Sequence, residues 1–99
     1  MSDKKEIILC AAIWYGGPEE LTHGPYGVAD GVVLCGFRHC QIIELYHALT
    51  GKETKDFGVC QGFLTSDNCF VTRQRAAQIA FDAGQIKEKK HQLFSEDLY

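Results

Sequence analysis

The stretch Gln61–Ile86, QGFLTSDNCFVTRQRAAQIAFDAGQI, decides the fold. Its first residues complete a strand over Phe57 to Leu64, weakened or bulged by Gly58 and Gly62. Thr65-Ser66-Asp67-Asn68 is turn chemistry, since Asp and Asn tolerate tight and left-handed backbone. Cys69-Phe70-Val71 is a short strand that returns along the first as a hairpin. Thr72 then suits an N-cap, because its hydroxyl accepts from N–H groups two or three residues on. A helix follows over Arg73 to Ala83, with Ala76, Ile79, Ala80 and Ala83 as its apolar stripe and Gly84 at its end. The small stripe allows close approach to a sheet or another helix.

This helix opens with Arg73 and Arg75, against the usual electrostatic preference. A helix start already carries about half a positive charge and unpaired N–H groups, so it favours acids. A local rule broken in this way often marks a function, and the arrangement suits an anion, above all a phosphate.

Upstream, Glu6 to Tyr15 (EIILCAAIWY) is a near-continuous apolar run that fits a strand covered on both faces. Gly16 to Gly31 holds five glycines and both prolines and is expected to be a loop with an irregular extension of the strands. Val32 to Gly36 is another strand. From Arg38 to Thr50 the period changes: Ile42, Leu45, Tyr46 and Leu49 define an amphipathic helix, with Gly51 placed for a left-handed cap. Lys52 to Asp56 is a charged loop. The final LFSEDLY carries Leu93, Phe94, Leu98 and Tyr99, which should dock on the body or on a neighbouring subunit. The expected architecture is one α+β domain over residues 1–99, a small antiparallel sheet of about four strands packed with two helices, and oligomeric because the core is small.

The net charge of −3 and the lack of a long basic run disfavour a nucleic-acid polymer as partner. The polar N-terminus lacks the apolar stretch of a signal peptide, and the apolar run at 7–15 is too short for a membrane span. Five cysteines without a CxxC pair read as reduced thiols, mostly buried. Cys35 and Cys40 beside His39 lack the second ligand pair of a zinc site, so no metal or cofactor is expected.

Arg38-His39 repeats the helix-start theme after a strand. Guanidinium groups at 38 and 73 can bind phosphate bidentately; the plainer alternative is solvent, or for Arg73 pairing with Asp67, Glu19 or Glu20. His39 can donate to a phosphate or hydroxyl, or be a buried histidine bonded to backbone. Phe63, with Gly62 opening space beside it, can stack on a nucleobase, or fill the core. Thr65, Ser66 and Asn68 can bond a ribose or base, or serve only the turn. No nucleophile elbow, Walker loop or paired-carboxylate motif accompanies these residues, which leaves binding without turnover as the simplest chemistry.

The order of these segments resembles the small phage-encoded Thoeris anti-defence protein 1 family. The likeness rests on a first strand ending Ala-Ala-Ile, Gly-Phe-Arg-His opening a helix, and Gln-Gly-Phe-Leu-Thr-Ser-Asp. It continues through Phe-Val-x-Arg, an Ala-rich helix, Ala-Gly-Gln-Ile and a closing Ser-Glu-Asp-Leu. The resemblance implies a non-enzymatic sponge in the cytoplasm of the infected bacterial host. Such proteins sequester cyclic ADP-ribose isomers made by a bacterial TIR enzyme. Some also hold cyclic di- or trinucleotides (CBASS signals) at separate sites in a homohexamer. It further implies a homodimer-interface pocket in which Arg38 engages phosphate, Phe63 stacks on adenine, and Thr65 and Arg73 bond nearby polar groups. Nanomolar capture corresponds to ~12 kcal/mol, which favours enclosure by two subunits. Two rival readings are an enzyme that cleaves a cyclic nucleotide, with His39 and Cys40 or His47, and a protein–protein inhibitor of a host factor.

Overall fold

The computed structural model describes residues 5–20, 25–28, 30–53 and 59–99. The elements are β1 (Ile8–Glu20), β2 (Asp30–Gly36), α1 (His39–Thr50), β3 (Val59–Thr65), β4 (Phe70–Thr72) and α2 (Arg73–Asp82), followed by a 3₁₀ turn at Ser95–Asp97. The strands form one antiparallel sheet in the order β2-β1-β3-β4. The expected α+β architecture of four strands and two helices is the one observed.

The apolar opening run becomes one of the sheet's two interior strands, flanked by β2 and β3, but it is not covered on both faces throughout as expected: Ile7 and Leu9 are 38% and 48% exposed. Ala11, Ala12 and Ile13 have no exposed surface. Ile8, Ala11, Ile13 and Tyr15 join Phe63, Ile42, Ile79 and the alanines of α2 in one core. Tyr15 stacks flat on Tyr46 of α1, ring centres 4.0 Å apart. β1 runs five residues beyond the expected strand, and Glu20 pairs with Asp30 after an irregularity in register. The ends of the glycine-rich segment are therefore the irregular strand extension expected of them. Residues 21–24, 29 and 54–58 lie outside the described residues, so most of the expected charged loop and the first two residues of the expected third strand do too.

Arg38, in extended conformation, is the N-cap of α1, and the Gln41 side chain accepts from its N–H at 3.2 Å. Gly51 closes the helix at φ 71°, as expected, with its N–H donating to the His47 carbonyl at 2.7 Å. Of the predicted stripe, Ile42 is buried and Tyr46 packs on the core, but Leu45 and Leu49 are 43% and 67% exposed. The helix packs on β2 and β1 at one side of the sheet, and only one edge of its apolar face reaches the core.

At the hairpin, Asn68 adopts the left-handed conformation at φ 60° and donates to the Thr65 carbonyl. The Thr72 hydroxyl accepts from Arg75 N–H and caps α2, whose Ala76, Ala77, Ile79 and Ala80 are buried. The chain then crosses back. Ile86 and Leu93 enter the core and Leu98 packs against it, so the closing segment docks on the body of its own chain. Among the described residues, no helix is long and apolar enough to cross a membrane.

Candidate anion site

Sheet order and register bring the two helix starts together. α1 begins just past Gly36, which pairs with Ala11; α2 begins just past Thr72, which pairs with Gly62 and so lies level with Ala12. The two starts are thus at the same height on opposite edges of the sheet. The edges are three strand spacings, about 14 Å, apart, and long side chains can close that gap from both sides.

Both guanidinium groups reach the segment 93–99. Arg73 Nη1 donates to the Leu93 carbonyl at 2.9 Å and Nη2 to Gln61 Oε1 at 2.7 Å. The Leu93 N–H donates back to the Arg73 carbonyl at 3.0 Å. Arg38 Nη1 donates to Ser95 Oγ at 3.3 Å, and Nη2 donates to the Tyr99 carbonyl. Arg38 Nη1 also lies 3.8 Å from Glu96 Oε1. The Glu96 carboxyl is held below its ordinary value, first by its own backbone N–H, then by the Ser95 hydroxyl, and then by both arginines. Both Arg38 and Arg73 thus favour the ionised form of Glu96.

Aromatic rings frame the pair. The Arg38 guanidinium lies 4.9 Å from the Phe37 ring centre and 5.2 Å from that of Tyr99, and those rings stack on each other at 4.1 Å. The Arg73 guanidinium lies 4.8 Å from the Phe94 ring and 6.0 Å from Phe63. Such contacts stabilise a cation by ~0.5–1 kcal/mol each at exposed sites. Burial pulls the Arg73 pKa below its ordinary value, opposed by Glu96 and Cys60, and the group stays charged at neutral pH.

Of the residues singled out from the sequence, Arg38, His39, Phe63 and Arg73 are brought together. His39 is buried, with Nε2 on the Gly62 carbonyl at 2.8 Å and its ring edge-on to Phe63 at 5.1 Å. It is the backbone-bonded histidine of the plainer alternative. Burial lowers its pKa, as does Arg73, so the imidazole is neutral at neutral pH. Phe63 has no exposed surface and fills the core, so its ring has no open face for a base in this chain. Nor does Gly62 open space for a ligand: a Cβ there would stand 2.1 Å from the Val71 carbonyl oxygen.

Thr65 and Ser66 are at the hairpin end of β3, roughly 13 Å along the strand from Gln61. The Thr65 hydroxyl donates to Glu6 Oε2 at 2.6 Å and accepts from the N–H groups of Asp67 and Cys69. Ser66 Oγ accepts from Ile7 N–H at 2.9 Å. The Thr65 hydroxyl serves the turn and the Ser66 hydroxyl ties it to the residue before β1, and the site formed within one chain does not include them. Arg75 is exposed and its backbone takes the Thr72 cap.

Sequence reading missed Gln61, Phe37 and the contributions of Phe94, Ser95, Glu96 and Tyr99. The available signal was the mixed aromatic and acidic composition of LFSEDLY, which suits neither a plain tail nor a core strand. The cysteines also differ from expectation: Cys35 and Cys40 are exposed and the other three are only partly buried, all as free thiols. Although Cys35 is exposed as a residue, partial desolvation of its sulfur and then the neighbouring Cys10 push the thiol up to about 11, away from nucleophilic use. Among the described residues, no cluster of three His, Cys, Asp or Glu could hold a metal ion. A shallow depression of about 360 Å³, lined by Gln85, Ile86, Lys87, Glu88, Lys90 and Asp97, lies outside the arginine pair.

The chain matches the family described as Phage T4 y16D protein over residues 7–99 and belongs to that phage protein family. No curated protein and no solved structure matches it.

Proposed function

We propose that this member of the phage family binds and sequesters a cyclic ADP-ribose-type signalling nucleotide in the cytoplasm of the infected host, without cleaving it. The observation that carries the reading is the convergence of Arg38 and Arg73, from two separate helix starts, on one short segment. Two guanidinium forks directed at one segment suit a ligand with more than one anionic oxygen group, such as a diphosphate. Phe37, Phe94 and Tyr99, each at least 40% exposed beside those cations, offer faces for an adenine in the role first given to Phe63. The side-chain amide of Gln61, on Arg73 Nη2, lies within the same cluster and suits a ribose hydroxyl. The resemblance to the Thoeris anti-defence family points to the same ligand chemistry.

Binding is favoured over cleavage because His39, the only imidazole in the cluster among the described residues, is committed to the Gly62 carbonyl. A homodimer accords with the reading: Leu45 and Leu49 leave part of an apolar helix face uncovered. A homohexamer with further cyclic oligonucleotide sites is the extension that the family resemblance suggests.

Incubation with cyclic ADP-ribose isomers followed by heat denaturation tests the reading. Intact nucleotide should return, whereas a new product would mean an enzyme. A saturating isomer should raise thermal stability by mass action, about 2.7 kcal/mol at a hundredfold excess over Kd. Arg38→Ala and Arg73→Ala should each remove that rise; unchanged calorimetric affinity in both would exclude this site.

A further inference from the structure

β2 ends the sheet, and the side of it turned away from β1 meets no strand among the described residues. In an antiparallel ladder every second residue points its N–H and C=O away from the partner, so part of the backbone from Val32 to Gly36 faces that open side. Among the described residues, these outward groups have no backbone partner. The opposite edge is partly closed by the chain itself. There the Tyr26 N–H donates to the Asn68 carbonyl at 2.8 Å, and the Tyr26 carbonyl accepts from the Phe70 N–H at 2.9 Å. Proteins blunt an open edge with charge, proline or a bulge. Between Gly31 and Gly36, β2 carries Val-Val-Leu-Cys in regular register from Val32, with none of these devices.

α1 adds a second uncovered surface on the same side. His39 bonds the Gly62 carbonyl of β3 and Tyr46 stacks on Tyr15 of β1, so that flank of the helix points inward. Ile42 lies over β2, where a Cβ on Gly36 would meet its Cγ1 at 3.0 Å. Leu45 and Leu49 follow Ile42 by three and seven residues and continue the flank on the β2 side, where both are exposed. Val32 pairs with Tyr15, which places it on the helix-covered face at the height of Tyr46, and it too is exposed. The open strand edge and the uncovered helix flank thus form one surface.

We infer that a second copy of the chain docks on this surface. The two β2 strands pair antiparallel across a two-fold axis and continue the sheet from one copy into the other. Val32, Leu45 and Leu49 of each copy pack against those of its partner. The surface is self-complementary, because an antiparallel pair about a two-fold axis gives both copies the same contacts. Residues 32–36, 45 and 49 carry no charge that would meet its like across the axis. A strand edge with a helix flank of twelve residues presents a face roughly 18 Å by 20 Å, so two copies bury on the order of 1,000 Å², the size at which stable interfaces begin. The inference supplies the contact for the homodimer named above, but it rests on β2 and α1 and needs no nucleotide.

The test is sedimentation velocity of the full chain without ligand at micromolar concentrations, alongside Val32→Lys and the double variant Leu45→Glu, Leu49→Glu. All three positions are exposed, so the variants should keep the circular dichroism spectrum of the unaltered chain. The unaltered chain should sediment at twice the monomer mass. Each variant should associate at least about tenfold more weakly, since docking would bury an unpaired charge. Amide hydrogen exchange at residues 32–36 of the unaltered chain should slow as its concentration rises, a readout that needs no variant. A monomer at every concentration, a dimer that survives both variants, or exchange at 32–36 that ignores concentration would overturn the interface. None of these results bears on whether cyclic ADP-ribose binds, so the nucleotide reading stands or falls separately.

Discussion

His39 shows how one residue's environment fixes its chemistry. It is 8% exposed, its Nε2 meets the Gly62 carbonyl, and burial outweighs that bond in lowering its pKa, with Arg73 adding to the effect and Glu96 opposing it. The folded chain therefore takes up this proton less readily than the unfolded chain, whose histidine titrates near 6.5. The stability due to neutral His39 is complete above that value. It is lost as the pH falls below it, until the lower folded pKa is reached. Urea denaturation at pH 7.5 and 5.5 should show the loss, and His39→Gln should flatten the slope; equal slopes would assign the pH dependence elsewhere. At this scale the two arginines stand out in the sequence because a cation at a helix start conflicts with the helix field, and the structure brings both to the segment 93–99. Phe63, Thr65 and Ser66 were not legible, because a phenylalanine in a core and one under a base look alike in sequence. Only burial and hydrogen-bond partners separate them.

At the scale of the elements, the hairpin feeding α2 was legible from turn chemistry and a capping threonine, and α1 from its period and Gly51. The extents were less so. β1 continues to Glu20 through glycines that propensity assigns to a loop, because pairing with β2 decides the matter. Gly62 illustrates the same limit. The sequence marks it as a weak point in a strand, whereas the hairpin needs it: a Cβ would meet the Val71 carbonyl oxygen at 2.1 Å and the Phe70 ring at 3.0 Å. That oxygen belongs to the paired strand, so relief requires β4 to move away from β3. Gly62→Ala should destabilise the fold by about 1–3 kcal/mol in chemical denaturation. Because β4 leads directly into α2, the variant should also weaken the proposed nucleotide binding through Arg73; a fully stable Gly62→Ala would show that the hairpin does not constrain the site.

The site belongs to the molecule as a whole, and here the sequence says least. Nothing in LFSEDLY alone shows that Leu93 meets Arg73 or that Tyr99 meets Arg38, since both contacts follow from how the sheet orders its strands. That order also governs assembly. β1 is interior, yet one of its partners is β3, with Ile8 opposite Thr65, and the Gln85 side chain bonds both Ile8 N–H and its carbonyl at 2.8 Å. The earliest strand must wait for residues far along the polypeptide before its flank is covered. Closing loops of that length costs entropy before any contact compensates it. Refolding in stopped-flow dilution should accordingly take milliseconds to seconds rather than microseconds. A microsecond phase carrying the full amplitude would contradict this. While it waits, a newly made chain displays the apolar stretch 7–15 with a bare hydrogen-bonding rim. Its solubility during synthesis then hinges on how soon residues 59–65 emerge to shield that rim from other nascent chains.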